Sequence, residues 1–430
     1  MGEREGVISN SWSTVPRIIA PMTAAGSTGI PETPLFTVEI ADEKIGLRGF
    51  LCIHSLGNYG TSGGMRCVPD IERREVELLA RAMTYKYAFF KLDQGGAKAG
   101  LRVSYDEPPE RRRLLIQEAA RHLRPLIDRN LWSPHTDMNF YADGLIDFFR
   151  GIGHKFQPQD DGGSSFRTAV WAFAALRACI DHLGVKPDRT RVAFEGFGSV
   201  AGYMVPFLKE LGVKVVALTT HRGGASAPAG VDLDAVLAHQ RGGFAWDKPG
   251  KPWKPIATDE LFDIESDIFI PCARVHSIDA DRARRLKTSL ILPVANVPCT
   301  DEALEVFDER GISYLPDYVV NGGGVCGSVM AGATPENPER VSGPIEVFRA
   351  MNLRLLSTSK VVGKPPRKIS DEIAHHNYPE IVRHAYDRET ILSRISKKAR
   401  ARSLFPGFIL QKEIRARRAR TLSHLESLFI

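Results

Sequence analysis

Cysteine is scarce in this chain. There are six among 430 residues, Cys52, Cys67, Cys179, Cys272, Cys299 and Cys326, and no two form a C-x-x-C pair. That scatter fits neither a zinc site nor a disulfide framework, so reduced thiols and no metal are expected. Long apolar runs are missing as well, and none approaches the roughly 18 residues that would mark a membrane span. The start, MGEREGVISN, sets Glu3 and Glu5 where a secretory leader would carry lysines before an apolar core. The expectation is a cytoplasmic protein with no membrane partner. No internal repeat or low-complexity tract is visible, which excludes collagen, a disordered tail and a coiled coil.

Strong charge of one sign is also absent from most of the chain. The net charge is +6. The basic excess gathers late, with 19 Lys and Arg against 10 Asp and Glu over residues 334–430, mostly between Lys397 and Arg420. A basic face of that kind binds acidic partners or membrane surfaces in some proteins. A solvated helical face is the plainer reading, and no aromatic-interleaved basic stripe points to nucleic acid.

What is present is ordinary globular composition, 43% hydrophobic and 25% charged. A chain of 430 residues suggests two or three domains and buries roughly three quarters of its unfolded surface. Residues 1–34 read as an irregular arm. LFTVEI and GLRGFLCIHS read as a hairpin around Asp42, Glu43 and Lys44. Val76, Leu79, Ala80, Met83, Tyr87 and Phe90 follow helical spacing, and Lys86 lies at the edge of that stripe. Further helices are predicted over 110–128 and 142–151. GIGHKFQPQDDGGSS, residues 151–165, is the best domain boundary. Beyond it a helix over 166–183 is followed by RVAFEG, VKVVALTT, DIFIPC, SLILPVAN and ISYLPDYVV, short apolar runs separated by helical or turn stretches. This alternation predicts an α/β fold with a parallel sheet covered on both faces.

Two constellations carry chemistry. Gly196, Phe197, Gly198, Ser199, Val200 and Ala201 read G-x-G-x-x-A between a strand and a helix, the context a dinucleotide-binding turn requires. The second strand of such a unit normally ends in an acid that holds the ribose of NAD. Here Thr219, Thr220, His221 and Arg222 stand there, so NADP, or NAD and NADP alike, is expected. The second constellation is Gly63-Gly64-Met65-Arg66, then Met83-Thr84-Tyr85-Lys86, then Gly95-Gly96-Ala97-Lys98. Most lysines are surface residues. Lys86, however, borders an apolar helix stripe, and Lys98 reads as part of a Gly-rich turn open to a ligand. Two ammonium groups in one desolvated cleft lower each other's pKa, leaving one of them able to act as a base.

In order and spacing these motifs resemble the glutamate, leucine, phenylalanine and valine dehydrogenase family. GGMR, MTYK and GGAK occur in its order, with Lys86 and Lys98 at its spacing of twelve positions. KIGLRGFLCIHSLGNYG is similar to the leucine and phenylalanine branch, and SPHTDMN, EGFGSVA, DIFIPCA, LPVAN and PDYVVNGGGV continue the series to about residue 330. The resemblance implies two α/β domains: residues 1–150 for substrate binding and oligomerisation, 151–331 as a Rossmann dinucleotide domain, and a helical segment, 332–430, returning to the first. It implies NAD(P)-dependent oxidative deamination of an L-amino acid to its 2-oxo acid and ammonia, or the reverse, by a homo-oligomer. Lys98 would activate water and Asp137 would relay protons to the amine. Gly64, Lys86 and Asn321 would hold the substrate backbone. Thr168, Gly196, Phe197, Gly198, Ser199, Val200, Thr220, Arg222 and Asn296 would hold the cofactor. The plainer readings make Asp137 a helix N-cap and Asn321 a turn former.

The departures bear on the substrate. Ser62 stands where glutamate-specific members have a lysine, which disfavours glutamate. Ser62, His135, Val325 and Ser328 make a pocket more polar than an aliphatic side chain asks for. Ala97 replaces a glycine, and Arg274 to His276 replace a nicotinamide-contacting pair. The last hundred residues match the family poorly. These changes keep a second expectation open, a catalytically inactive NAD(P)-binding paralogue serving as a regulatory or scaffold subunit.

Overall fold

The alternating run FTVEIAD forms β1 (Phe36–Asp42), antiparallel to β2 (Leu47–Ile53), with Phe36 opposite Ile53 and Asp42 opposite Leu47. The hairpin predicted around Asp42 to Lys44 is therefore present. The computed structural model describes residues 29–156, 163–241, 253–330, 334–335, 337–385, 419–421, 423–425 and 427–428. Most of the N-terminal arm and nearly all of the basic stretch from Lys397 to Arg420 lie outside them. The chain continues through β3 (Thr61–Cys67), α1 (Arg73–Phe89), β4 (Gly95–Leu101), α2 (Pro109–Asp128), β5 (Ser133–His135) and α3 (Ala142–Gly151). The first sheet has the order β1-β2-β4-β3-β5, so β4 is central, antiparallel to β2 and parallel to β3.

The second sheet follows α4 (Gly163–Leu183). Its elements are β6 (Arg191–Glu195), α5 (Ser199–Leu211), β7 (Lys214–Thr220), β8 (Gly223–Ser226), α6 (Leu233–Arg241) and β9 (Lys254–Ile256). They continue with β10 (Ile268–Pro271), α7 (Ala280–Arg285), β11 (Leu290–Ile291), α8 (Asp301–Glu309), β12 (Ser313–Tyr314) and the short α9 (Asp317–Val320). The order is β12-β11-β10-β6-β7-β8-β9, parallel from β12 to β7. The expected parallel α/β sheet is there, with two corrections. β8 and β9 add an antiparallel edge that the sequence did not announce. ISYLPDYVV is a strand only over Ser313 and Tyr314, because Pro316, with its φ fixed near −67°, starts α9 instead.

The join between the sheets is apolar. Trp171 of α4 is fully buried, edge-on to Phe90 at 5.2 Å, and its indole N–H donates to the Val319 carbonyl at 2.9 Å. Burying a side chain of that kind contributes roughly 1.5–3 kcal/mol. α10 (Ser342–Val362) lies along α4, and α11 (Pro366–Val382) lies along α1. The Tyr85 hydroxyl and His375 Nε2 meet at 3.2 Å, and His424 reaches the Phe89 carbonyl at 2.9 Å. α1 is thereby held from both sides. Its Lys86 points into the cleft between the two sheets.

Candidate active site

Glycine decides the local geometry of the lysines. GGAK is not a turn but part of β4, with Lys98 paired to Cys52 across the ladder. The expectation of a Gly-rich turn is corrected on physical grounds. A Cβ on Gly63 would collide with the Ala97 carbonyl, and one on Gly96 with the backbone of Thr84 in α1. These glycines let β3, β4 and α1 approach more closely than any side chain permits. On Gly64 a Cβ would sit 2.6 Å from the Thr136 carbonyl and 2.9 Å from the Asp137 Cβ. The backbone at Gly64 therefore lies directly beside Asp137.

Lys98 and Asp137 form a buried ion pair, their side chains 5% and 11% accessible. Asp137 does not cap a helix. It closes a tight turn with Phe140, Oδ1 accepts the Met138 N–H at 2.6 Å, and α3 begins later at Ala142. Arg66 Nη2 lies 3.5 Å from Asp137 Oδ1, and Arg66 Nη1 pairs with Glu75 at 2.7 Å. Lys86, also buried, donates weakly to Asn296 Oδ1 at 3.4 Å and to the Asn321 carbonyl at 3.5 Å. Asn321 Nδ2 donates to Asn296 Oδ1 at 2.9 Å and to the Val294 carbonyl at 3.2 Å, which ties the loop after β11 to the end of α9. Lys86, Lys98, Asp137, Asn296 and Asn321 thus converge, as do the elements that carry them.

The electrostatics follow from burial. Desolvation first, then the like charge of Lys98, pushes Lys86 down to about 8. Lys98 is lowered too, by desolvation and by Arg66, with Asp137 opposing. Burial alone would raise Asp137, but the charges of Lys98 and Arg66 more than offset it and hold the carboxyl well below the usual range. The site therefore contains a carboxylate held ionised by the charges of Lys98 and Arg66, and two buried lysines, Lys86 and Lys98, that both lose their protons more readily than a lysine in water.

The walls are polar. Ser62 is buried and hydrogen-bonded to Tyr87. His135 ends β5 and is exposed to solvent. Protein still surrounds the ring closely enough that desolvation, then Arg167 and Lys98, push it down to about 4. Val325 is half-buried against the core, and the Ser328 backbone lies in the turn Gly327–Met330, its side chain being outside what is described. The Thr168 hydroxyl donates to the Ser164 carbonyl at 2.8 Å and faces Gly324. The sequence reading assigned no role to Arg66 or Glu75, although GGMR contains the arginine. It also missed Arg167, whose Nε would lie 3.0 Å from a Cβ on Gly327.

The β6–α5 turn fits a dinucleotide. Gly196 has φ 88° and would drive a Cβ to 2.8 Å from Ala273. A Cβ on Gly198 would meet nothing within 4 Å, so the backbone lies open in front of the N-terminus of α5, where a pyrophosphate is favoured. Ser199 is exposed there, and Ala201 is buried, letting the helix pack on the sheet. The Phe197 ring is buried 5.9 Å from Phe194, and Val200 is half-buried. Phe197 therefore has only its backbone to offer a cofactor. Thr220 ends β7 with its hydroxyl donating to the Gly223 carbonyl, and exposed Arg222 donates to His221.

Fold and site together define a two-domain α/β dehydrogenase, with a dinucleotide turn on one sheet and a lysine–carboxylate cluster on the other. The description "Glu/Leu/Phe/Val dehydrogenase, dimerisation domain" matches residues 34–145, and "Glutamate/Leucine/Phenylalanine/Valine dehydrogenase" matches residues 162–336. The chain belongs to this family of NAD(P)-dependent amino acid dehydrogenases. It is 31% identical over 298 residues to a glutamate dehydrogenase of Thermotoga maritima, covering 64% of this chain and 70% of that one. It is 30% identical over 297 residues to an NADP-specific glutamate dehydrogenase of Saccharolobus shibatae, covering 64% and 68%. An NAD-specific glutamate dehydrogenase of Staphylococcus aureus is 28% identical over 291 residues, covering 64% and 70%. Among solved structures, the hetero-hexameric glutamate dehydrogenase of Thermus thermophilus shares the fold, with a TM-score of 0.69, 23% identity, and coverage of 87% and 91%. No helix among the described residues is long and apolar enough to cross a membrane, and no three metal-ligating side chains cluster among them.

Proposed function

We propose that the chain catalyses oxidative deamination of an L-amino acid to its 2-oxo acid and ammonia, and the reverse, with NADP or NAD. The observation that carries this reading is the buried Lys98–Asp137 pair together with buried Lys86, whose ammonium reaches Asn296 and Asn321 of the second sheet's loops. Lys86 holds the substrate α-carboxylate, with Gly64 and Asn321 bounding the same space. Asp137 takes a proton from the amine as the C–N bond gains double-bond character. Lys98, with its lowered pKa, accepts a proton from the water that adds to the imine carbon. Lys98 releases that proton to solvent. The resulting carbinolamine then collapses to the 2-oxo acid as Asp137 returns a proton to the nitrogen. The C–N bond breaks with ammonia leaving, and the hydroxyl proton passes to Lys98 as the C=O bond forms. When bound, the dinucleotide supplies the hydride acceptor for the α-hydrogen. Thr168, Asn296 and the backbone from Gly196 to Val200 hold it, while Thr220 and Arg222 meet its ribose end.

The side-chain pocket of Ser62, His135, Val325 and Ser328 favours a substrate with a hydrogen-bonding or aromatic tip, because His135 is neutral at pH 7 and open to solvent. Arg167 brings a guanidinium to that wall. The missing lysine at Ser62 therefore does not by itself disfavour an acidic side chain. Residues 1–150 form the substrate and assembly domain of a cytoplasmic homo-oligomer, 151–331 the dinucleotide domain, and 332–430 the returning segment. A panel of L-amino acids, and of 2-oxo acids with ammonia, tests the reading when offered with NAD and NADP and followed by absorbance of the reduced nicotinamide. Cofactor binding without turnover of any member would replace the enzyme with the inactive paralogue.

A further inference from the structure

No step above uses Arg274, which stands in the loop after β10 where the sequence departs from the family pattern. Its guanidinium spans two carboxylates of the first sheet's domain. Nη1 lies 2.7 Å from Asp70 Oδ2, and Nη2 lies 3.4 Å from Glu75 Oε2. Asp70 precedes α1, and Glu75 occupies its first turn. The other oxygen of Glu75 accepts from Arg66 at 2.7 Å, and Arg66 in turn faces Asp137 at 3.5 Å. Charges therefore alternate from the surface to the centre of the site: Asp70, Arg274, Glu75, Arg66, Asp137, Lys98. Accessibility falls from 59% at Asp70 to 5% at Lys98. Five members belong to the first domain and Arg274 to the second. A second contact crosses the same seam, where Tyr105 stacks on His221 at 6.5 Å beside the end of β7.

We propose that Arg274 is a positioning residue, an interdomain strap that orients Asp137 against Lys98 through Glu75 and Arg66 when the cleft is shut. The inference rests on the reading of Asp137 and Lys98 given above. Glu75 divides its two oxygens between two guanidiniums, so its rotamer is fixed only while both are present. Without Arg274 the carboxylate turns, Arg66 follows it, and Asp137 Oδ1 is left with the Met138 N–H alone, without the guanidinium that fixes its direction toward Lys98. Opening the cleft carries Arg274 away from Asp70 and Glu75, which makes orientation of the proton relay conditional on closure. The planar fork of arginine aims separate N–H groups at the two carboxylates in a fixed geometry, which the compact ammonium of lysine does not reproduce.

The test compares the wild-type chain with Arg274→Gln, Arg274→Lys and Asp70→Asn. Turnover is expressed per cofactor-binding site, so that loss of folded protein does not register. Arg274→Gln should lower kcat about fivefold with KM little changed, the scale of one half-exposed ion pair acting on the transition state alone. Arg274→Lys should restore part of the loss, and Asp70→Asn should move kcat in the same direction by less. Hydrogen exchange of residues 135–140, including the Met138 N–H held by Asp137, gives a readout independent of turnover. NADP or NAD should slow exchange there in the wild type and not in Arg274→Gln. Unchanged kcat in an active Arg274→Gln enzyme overturns the strap and leaves the proposed reaction standing. An inactive wild type overturns the reaction, and the exchange comparison then decides the strap: equal slowing in both chains refutes it.

Discussion

Replacing Lys86 by Met should stabilise the protein while damaging its function. Lys86 is 5% accessible, and desolvation pushes it from 10.5 to about 8. Each tenfold change in proton affinity corresponds to ~1.4 kcal/mol, so the charged form carries a folding penalty of about 3 kcal/mol. The sign follows from proton counts. Between about pH 8 and pH 10.5 the unfolded lysine keeps a proton that the folded one has released, so this residue's contribution to stability rises with pH. Below pH 8 both states are protonated and the whole penalty is present. Met keeps the length and apolar stem, and its loss of two long contacts at 3.4 and 3.5 Å costs little. The Met variant should therefore be more stable at pH 7 by roughly 1–3 kcal/mol, with the advantage shrinking steadily toward pH 10. Urea unfolding of both chains at equal protomer concentration, across pH 7 to pH 10, measures this. A variant less stable at pH 7, or an advantage that does not decline with pH, would refute the assignment of Lys86 as a strained buried cation. The same variant should raise KM for the amino acid more than it lowers kcat, because carboxylate pairing exists in ground and transition states alike.

Three further outcomes follow from the site. Lys98→Ala should cut turnover by roughly 10²–10⁴-fold with cofactor affinity intact, and activity above about a tenth of wild type would remove Lys98 from the role of base. NADP should bind at least as well as NAD, and Arg222→Ala should weaken NADP selectively; titration of both dissociation constants checks this, and a strong preference for NAD counts against the reading of Arg222. Leucine should rank in kcat/KM below amino acids whose side chains end in a hydrogen-bonding or aromatic group, because it strands His135; leucine heading the panel would mean that His135 does not face the side chain.

The α/β architecture was legible because periodicity is local. Helical spacing from Val76 to Phe90 and the short strands after residue 190 are properties of neighbouring residues. β8 and β9 were not legible, since GGAS and KPI are four and three residues long and carry no alternation. DYVV, being short and apolar, reads equally as strand or helix, and only its position after Pro316 decides. GGAK was misread for a different reason. Glycine in a sequence signals freedom of φ, but at Gly63 and Gly96 it serves absence of volume, which shows only once Ala97 and Thr84 are in place.

The site divides along the same line. Lys86 and Lys98 stood out through the apolar stripe and the glycines beside them, Asp137 only through the resemblance of SPHTDMN to a family motif, and the structure brings the three side chains together. Which part of Phe197 serves the turn was not legible: its ring belongs to the core beside Phe194, which leaves only its backbone to a cofactor. Glu75 was invisible. It lies in the first turn of α1, where an acid is favoured by the helix dipole and reads as an ordinary N-terminal residue. Its second partner comes from residue 274, in the loop after β10 of the other sheet. Nothing in EVELLA distinguishes a solvated glutamate from one shared by two arginines, because that difference is made by distance across the fold. Folding turns an ordinary first-turn acid into the shared acceptor of two arginines, Arg66 and Arg274, and it does so with residues whose local sequence already has a sufficient explanation.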